Sequence, residues 1–207
     1  MRRALCVMTI LAGCEGNTIT AGGGGGGGGD KPAGDPVPGE VKELTFTEHD
    51  RTFKVKAFVP AKWSEQVMDH ARYYQGSWMS KYAVSITCAG SCDTVETARK
   101  NIAQQAQEHF EFTSSKNHIP PLVATWVSKL AEVSPGVWSW RFRAINDKEK
   151  QSEDQYSLDR ILPPGDPKST LILTCNFEID EREPPGVADI LEKKCKDMTY
   201  VEVTKPK

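Results

Sequence analysis

Six cysteines carry the chemistry that this 207-residue chain most plainly offers. Four of them, Cys88, Cys92, Cys175 and Cys195, lie in the body of the sequence, and an even number in an exported chain reads as two disulfides with three possible connectivities. Cys175 sits on the inward face of a strand-like segment and Cys195 on the apolar stripe of the next helix, so a bond between them would staple helix to sheet. Cys88-Ala89-Gly90-Ser91-Cys92 would link a strand end to a helix start, where a thiol's pKa falls and its nucleophilicity is available for redox chemistry. The thioredoxin-like spacing has two intervening residues, whereas this one has three, and no βαβ pattern surrounds it. Zinc is disfavoured because neither pair has the two-residue spacing of a ribbon. The four histidines, His49, His70, His109 and His118, stand in no H-E-x-x-H or G-x-S-x-G context, so no metal ligand, cofactor or catalytic residue is assigned.

The remaining two cysteines lie near the N-terminus. Arg2 and Arg3 precede an apolar run from Ala4 to Ala12, and Gly13-Cys14 closes it with small residues, the pattern of an export signal. The run is too short to span a bilayer, which takes about 20 apolar residues. Leu11-Ala12-Gly13-Cys14 resembles the lipobox of bacterial lipoproteins. That resemblance implies cleavage before Cys14, acylation of its thiol and new amino terminus, and attachment to a lipid bilayer in the cell envelope, facing periplasm or exterior. Cys6 would leave with the signal.

Residues 14–40 then read as a tether. Eight consecutive glycines from Gly22 to Gly29 are followed by a Pro- and Gly-rich stretch with no aromatic residue, which cannot offset its ordering entropy. As a Gly-rich coil its root-mean-square span is roughly 28 Å. A phosphate loop is excluded, because no Gly-Lys-Ser/Thr ending or preceding strand is present.

Residues 41–207 are enough for a single domain. The chain has 26 basic and 28 acidic residues, a formal net charge of -2, and loss of Arg2 and Arg3 with the signal deepens it to -4. This balance argues against a nucleic-acid partner.

Hydrophobic spacing supplies the elements. Strands are expected around residues 43–47 and 53–59, paired across Glu48-His49-Asp50, and at 82–88, where apolar and small residues alternate. Asp93 and Glu96 form a capping box before a helix whose stripe is Val95, Ala98, Ile102, Ala106 and Phe110. Leu122 to Val133 fits either period and is taken as a strand. Trp138, Trp140, Phe142 and Ala144 alternate with Ser139, Arg141 and Arg143 on the next one. Asp147 to Asp154 is expected to be a solvated loop before a strand at 156–162. A buried strand follows at 171–177, then a helix after Pro184-Pro185 and a short edge strand near 200–203. The order predicts an α+β fold, an antiparallel sheet packed with two main helices.

Phe53-x-Val55-x-x-x-Val59-Pro60-x-x-Trp63, with that element order, is similar to the PsbP-like fold of some bacterial envelope lipoproteins. The resemblance covers most of Val41 to Val203, implies a binding or assembly module, and transfers no catalytic residues. The aromatic-rich segment from Met68 to Trp78 supplies a candidate recognition surface in Tyr73, Tyr74 and Trp78, because such side chains give large contact area at low entropy cost. The favoured reading is a non-catalytic envelope lipoprotein that binds a protein or polymer. The alternative is an envelope enzyme, a hydrolase or a thiol oxidoreductase using Cys88 and Cys92.

Overall fold

The computed structural model describes residues 37–88, 94–115, 122–146, 151–164 and 170–203. Cys14, the signal, most of the tether, Cys92 and Asp93 lie outside the described residues. The described chain is α+β, with ten strands in antiparallel pairing and two α-helices.

β1 (Gly39–Glu48) and β2 (Arg51–Pro60) form a hairpin. Its two-residue connection places His49 and Asp50 at φ +47° and +60°, the left-handed pair that suits the right-handed twist of the flanking strands. The domain starts earlier than the expected Val41: Val37 is buried in the main core, and Gly39 opens β1. A Cβ on Gly39 would meet the Val59 carbonyl at 2.4 Å and the Phe58 ring at 2.5 Å, so only glycine fits. β10 (Thr199–Val203) completes this sheet in the order β1-β2-β10. Arg51, on β2, grips Glu202, on β10, with two 2.8 Å hydrogen bonds and donates a third to the Pro163 carbonyl.

The second sheet has seven strands in the order β3-β4-β5-β9-β8-β7-β6. They are β3 (Ser64–Val67), β4 (Ala71–Gln75), β5 (Lys81–Thr87), β6 (Val123–Ser134), β7 (Val137–Asn146), β8 (Gln151–Ile161) and β9 (Ile172–Asp180). β3 and β4 carry too few apolar residues to announce themselves by period, and much of the aromatic-rich segment from Met68 to Trp78 is a strand of this sheet. Trp63, just before β3, packs against the core and leaves no room for a side chain at Gly76, where a Cβ would lie 2.6 Å from its ring. β8 begins within the stretch expected to be a loop. Asp154 is held there by Arg141 at 3.2 Å and Arg143 at 2.6 Å, so the charges that suggested solvation are paired across strands.

Helix α1 (Val95–Thr113) is capped by Thr94, whose Oγ1 accepts from the Thr97 amide at 3.1 Å; the expected cap, Asp93, lies outside the described residues. Its buried stripe, Ala98, Ile102 and Ala106, includes two alanines, which leave room for the large side chains Trp138, Trp140, Phe142 and Leu130 beneath it. Val95, expected on that stripe, is exposed. Phe110 stacks on Trp126 with ring centres 4.4 Å apart and meets Phe142 edge-on.

Helix α2 (Val187–Lys196) lies on the opposite face, with the three-stranded sheet. Asp189 in its first turn and Lys193, Lys194 and Lys196 in its last complement the helix dipole. Cys195 on α2 is bonded to Cys175 on β9, with their Cα atoms 5.5 Å apart, which realises the staple between helix and sheet. Arg141, on β7, is buried and bound by Asp189 at 2.7 Å, Glu192 at 2.8 Å and Asp154, a second, ionic tie between α2 and the sheet. No described helix is long and apolar enough to cross a membrane.

Candidate functional site: a groove beside helix α1

The register of the seven-stranded sheet builds a groove residue by residue. Tyr73 on β4 pairs with Ala83 on β5, Ala83 with Asn176 on β9, Asn176 with Ser157 on β8, and Ser157 with Trp140 on β7. Because side chains alternate between faces, this row points to one side. The row above contains Lys81, Glu178, Gln155 and Phe142, and the row below Ser85, Thr174, Asp159 and Trp138. A helix with its side chains is about 10–12 Å across and strands are about 4.8 Å apart, so α1 roofs only part of this face, over β6, β7 and the Ile161–Ile172 end of β8 and β9. The rest stays open, and the small Ala83 and Ser157 at its centre leave a hollow.

That hollow has a volume of ≈ 200 Å³, bounded by Gln105 and His109 of α1 on one side and Tyr73 on the other. Its floor is polar. Asp159 is 6% exposed, and its two oxygens accept hydrogen bonds from Ser157 Oγ at 3.0 Å and Thr174 Oγ1 at 2.8 Å. Burial raises its carboxyl to a pKa of about 6, against the pull of these two hydrogen bonds, and no cation is paired with it among the described residues. Lys81 instead reaches Glu178, at 3.5 Å. Gln155 is buried and donates to Glu153 at 2.6 Å and to Thr113 Oγ1 at 3.4 Å, tying the end of α1 to the sheet. His109 lies with its ring centre 6.0 Å from that of Trp140. Partial desolvation there lowers its pKa, opposed by the charges of Glu178 and Glu108.

The three candidate recognition residues separate in space. Tyr73 is exposed at the groove rim. Tyr74 points to the opposite face, is 1% exposed, packs on Tyr82 and donates to Glu65 at 3.0 Å; it is a core residue, because adjacent strand residues cannot share a face. Burial, with the Glu65 charge adding to it, raises its hydroxyl pKa. Trp78 lies in a short 3-10 turn (Ser77–Met79), exposed, at φ +57°, with the Arg182 guanidinium 4.6 Å above its ring. A tryptophan in the left-handed region is strained by of order 1–3 kcal/mol, and Met79 beside it shares that conformation at φ +71°.

Cys88 is disulfide-bonded, while Cys92 lies outside the described residues, as does the lipobox Cys14. No group of three or more potential metal ligands occurs among the described residues. Ser157, Asp159, Thr174 and Asn176 escaped the sequence reading, since strand residues facing away from the core look like ordinary solvated positions. Their one signal was that Ser157 and Asp159 alternate with the apolar Tyr156 and Leu158.

The fold and site thus define an α+β domain with a half-covered sheet face. No protein-family model matches the chain and no curated protein matches it. Among solved structures it is similar to LpqN, described as involved in cell envelope biogenesis of Mycobacterium tuberculosis, with a TM-score of 0.45 and 11% identity over 78% of this chain and 91% of that one. A likeness at this level bears on neither function nor site.

Proposed function

We propose that this chain is an envelope lipoprotein, anchored to a bilayer through an acylated Cys14, whose domain binds a component of the envelope without chemically altering it. The observation that carries the binding reading is the groove beside α1, a concave site with a few convergent polar groups and aromatic residues at its edges. Ser157 and Asp159 are bonded directly to each other at 3.0 Å. In a Ser-His-Asp relay the imidazole stands between the two, so this pairing suits a binding floor better than a nucleophile with its base. The anchor reading rests on the lipobox.

Metabolic labelling with a radioactive fatty acid is expected to mark the wild-type chain and not Cys14→Ser; equal label in both overturns the anchor. Retention on isolated envelope fragments tests the binding reading. Tyr73→Ala combined with Trp78→Ala is expected to lower retention while thermal unfolding is unchanged, and undiminished retention would count against these two residues as the contact surface.

A further inference from the structure

We infer that the hollow beside α1 binds a compact primary ammonium group, seated on Asp159, Ser157 and Thr174, with Trp140 beside it; this rests on the binding reading just given. Four observations lead there. The first is the hydrogen-bond inventory. Ser157 and Thr174 both commit their hydroxyl protons to Asp159, so what they still offer toward the hollow is oxygen lone pairs. Asp159 accepts one hydrogen bond on each oxygen and retains capacity for more. The Asp159–Ser157–Thr174 cluster therefore presents acceptors only, while the donors that also line the hollow, on Asn176 and Lys81, lie outside that cluster. An alkylammonium presents three donors and no acceptor, which makes it the complement of such a cluster.

The second is charge. A carboxylate taken out of water is costly unless a cation compensates it. The fold supplies that compensation for its other buried charge, since Arg141 is met by three carboxylates. Asp159 has none among the described residues; the nearby Lys81 is engaged by Glu178, and desolvation drives His109 toward its neutral form. Hydroxyls alone hold Asp159, which leaves a cationic ligand to complete the pairing.

The third is shape. At ≈ 200 Å³ the hollow is smaller than the roughly 300–1,000 Å³ of drug-sized pockets, so it suits a short alkyl amine or the amine-bearing end of a larger molecule. The fourth is the aromatic neighbour. Trp140 is opposite Ser157 in register, diagonal to Asp159 and part of the wall of the same hollow, and an indole face attracts a cation.

The test is a 15N–1H chemical-shift titration of the full chain in detergent micelles, with n-butylamine as the probe at pH 7.5. The amides of Ser157, Asp159 and Thr174 and the indole N–H of Trp140 are expected to shift and saturate, while n-butanol, of the same shape without the charge, produces no such response. Asp159→Asn is expected to weaken the amine at least tenfold with the spectrum otherwise kept. Thr174→Val, which removes one acceptor, is expected to weaken it several-fold and serves if the first variant misfolds. Equal response to n-butanol or to potassium chloride would overturn the inference, as would undiminished binding by Asp159→Asn or an absence of shifts in the groove. Conversion of the amine to a new species in the one-dimensional spectrum would instead overturn the non-catalytic reading and leave the site standing.

Discussion

Consecutive residues on the same strands build two different surfaces. On the α2 face, one row across the seven-stranded sheet runs Tyr74, Tyr82, Phe177, Tyr156 and Arg141; on the α1 face, the next row runs Tyr73, Ala83, Asn176, Ser157 and Trp140. The first is aromatic and closed, with Tyr74 tilted against Tyr82 and Tyr156 stacked on Phe177. The second is small and polar at its centre and aromatic at its ends. Both faces also bury a charge, and they treat it differently. Arg141 is saturated by Asp154, Asp189 and Glu192, whereas Asp159 is held by two hydroxyls. The α2 face pairs its buried charge with opposite charges, and the α1 face holds its own with hydroxyls alone, beside an open hollow.

The contrast is most directly broken by paired truncations in urea denaturation. Phe177→Ala is expected to cost about 3–5 kcal/mol, because it opens a cavity in a closed aromatic row. Its sequence neighbour Asn176→Ala is expected to cost under about 1 kcal/mol. Equal losses would show that the α1 face is structural as well.

Removal of the buried cation comes next. Arg141→Ala is expected to cost about 2–3 kcal/mol, since Asp154 and Glu192, both mostly buried, lose the cation they share and keep only Arg143 and Lys196. A loss below 1 kcal/mol by the same assay would mean that α2 is held by its apolar stripe and disulfide alone. That disulfide closes a separation of 20 residues, and the paired change Cys175→Ala with Cys195→Ala is expected to cost about 3 kcal/mol, read as a lower denaturation midpoint under non-reducing conditions.

Asp159 gives the smallest effect and the opposite sign. Its carboxyl pKa is raised from 3.8 to about 6 by burial, so the folded state holds the proton more tightly than the unfolded one. Its contribution to stability is full below about pH 4 and is lost as pH rises through 6. Asp159→Asn is therefore expected to stabilise the domain at pH 7 by on the order of 1–3 kcal/mol and to flatten its stability between pH 4 and 6. Identical pH profiles for the two proteins would show that Asp159 is already matched in the folded state.

Much of the scaffold was legible. The hairpin before Pro60, the strand at 81–87, both helices and the last edge strand follow from alternation, helical stripes and turn residues. β3 and β4 were not, because four and five residues with mixed polarity leave no period to detect. The start of β8 was missed for a different reason, since Asp154 looked solvated and is in fact paired with two arginines from the neighbouring strand. For the three aromatic residues singled out for recognition, the composition of the segment says nothing of its pleat. Without the strand assignment nothing separates Tyr73 from Tyr74.

What the sequence determined by itself is local. The alternation along β2, β5 and β7, the apolar stripe of α1 and the paired prolines before α2 act through spacing or backbone preference over a few residues, and those rules are written along the chain. Only the tertiary structure decided which of the four body cysteines meet at Cys175 and Cys195, which face Tyr74 takes, and that Asp159 lies beside Ser157 and Thr174 in an open groove. Each of these depends on strand order and register, which are fixed by how several elements bury their apolar faces together rather than by any one of them.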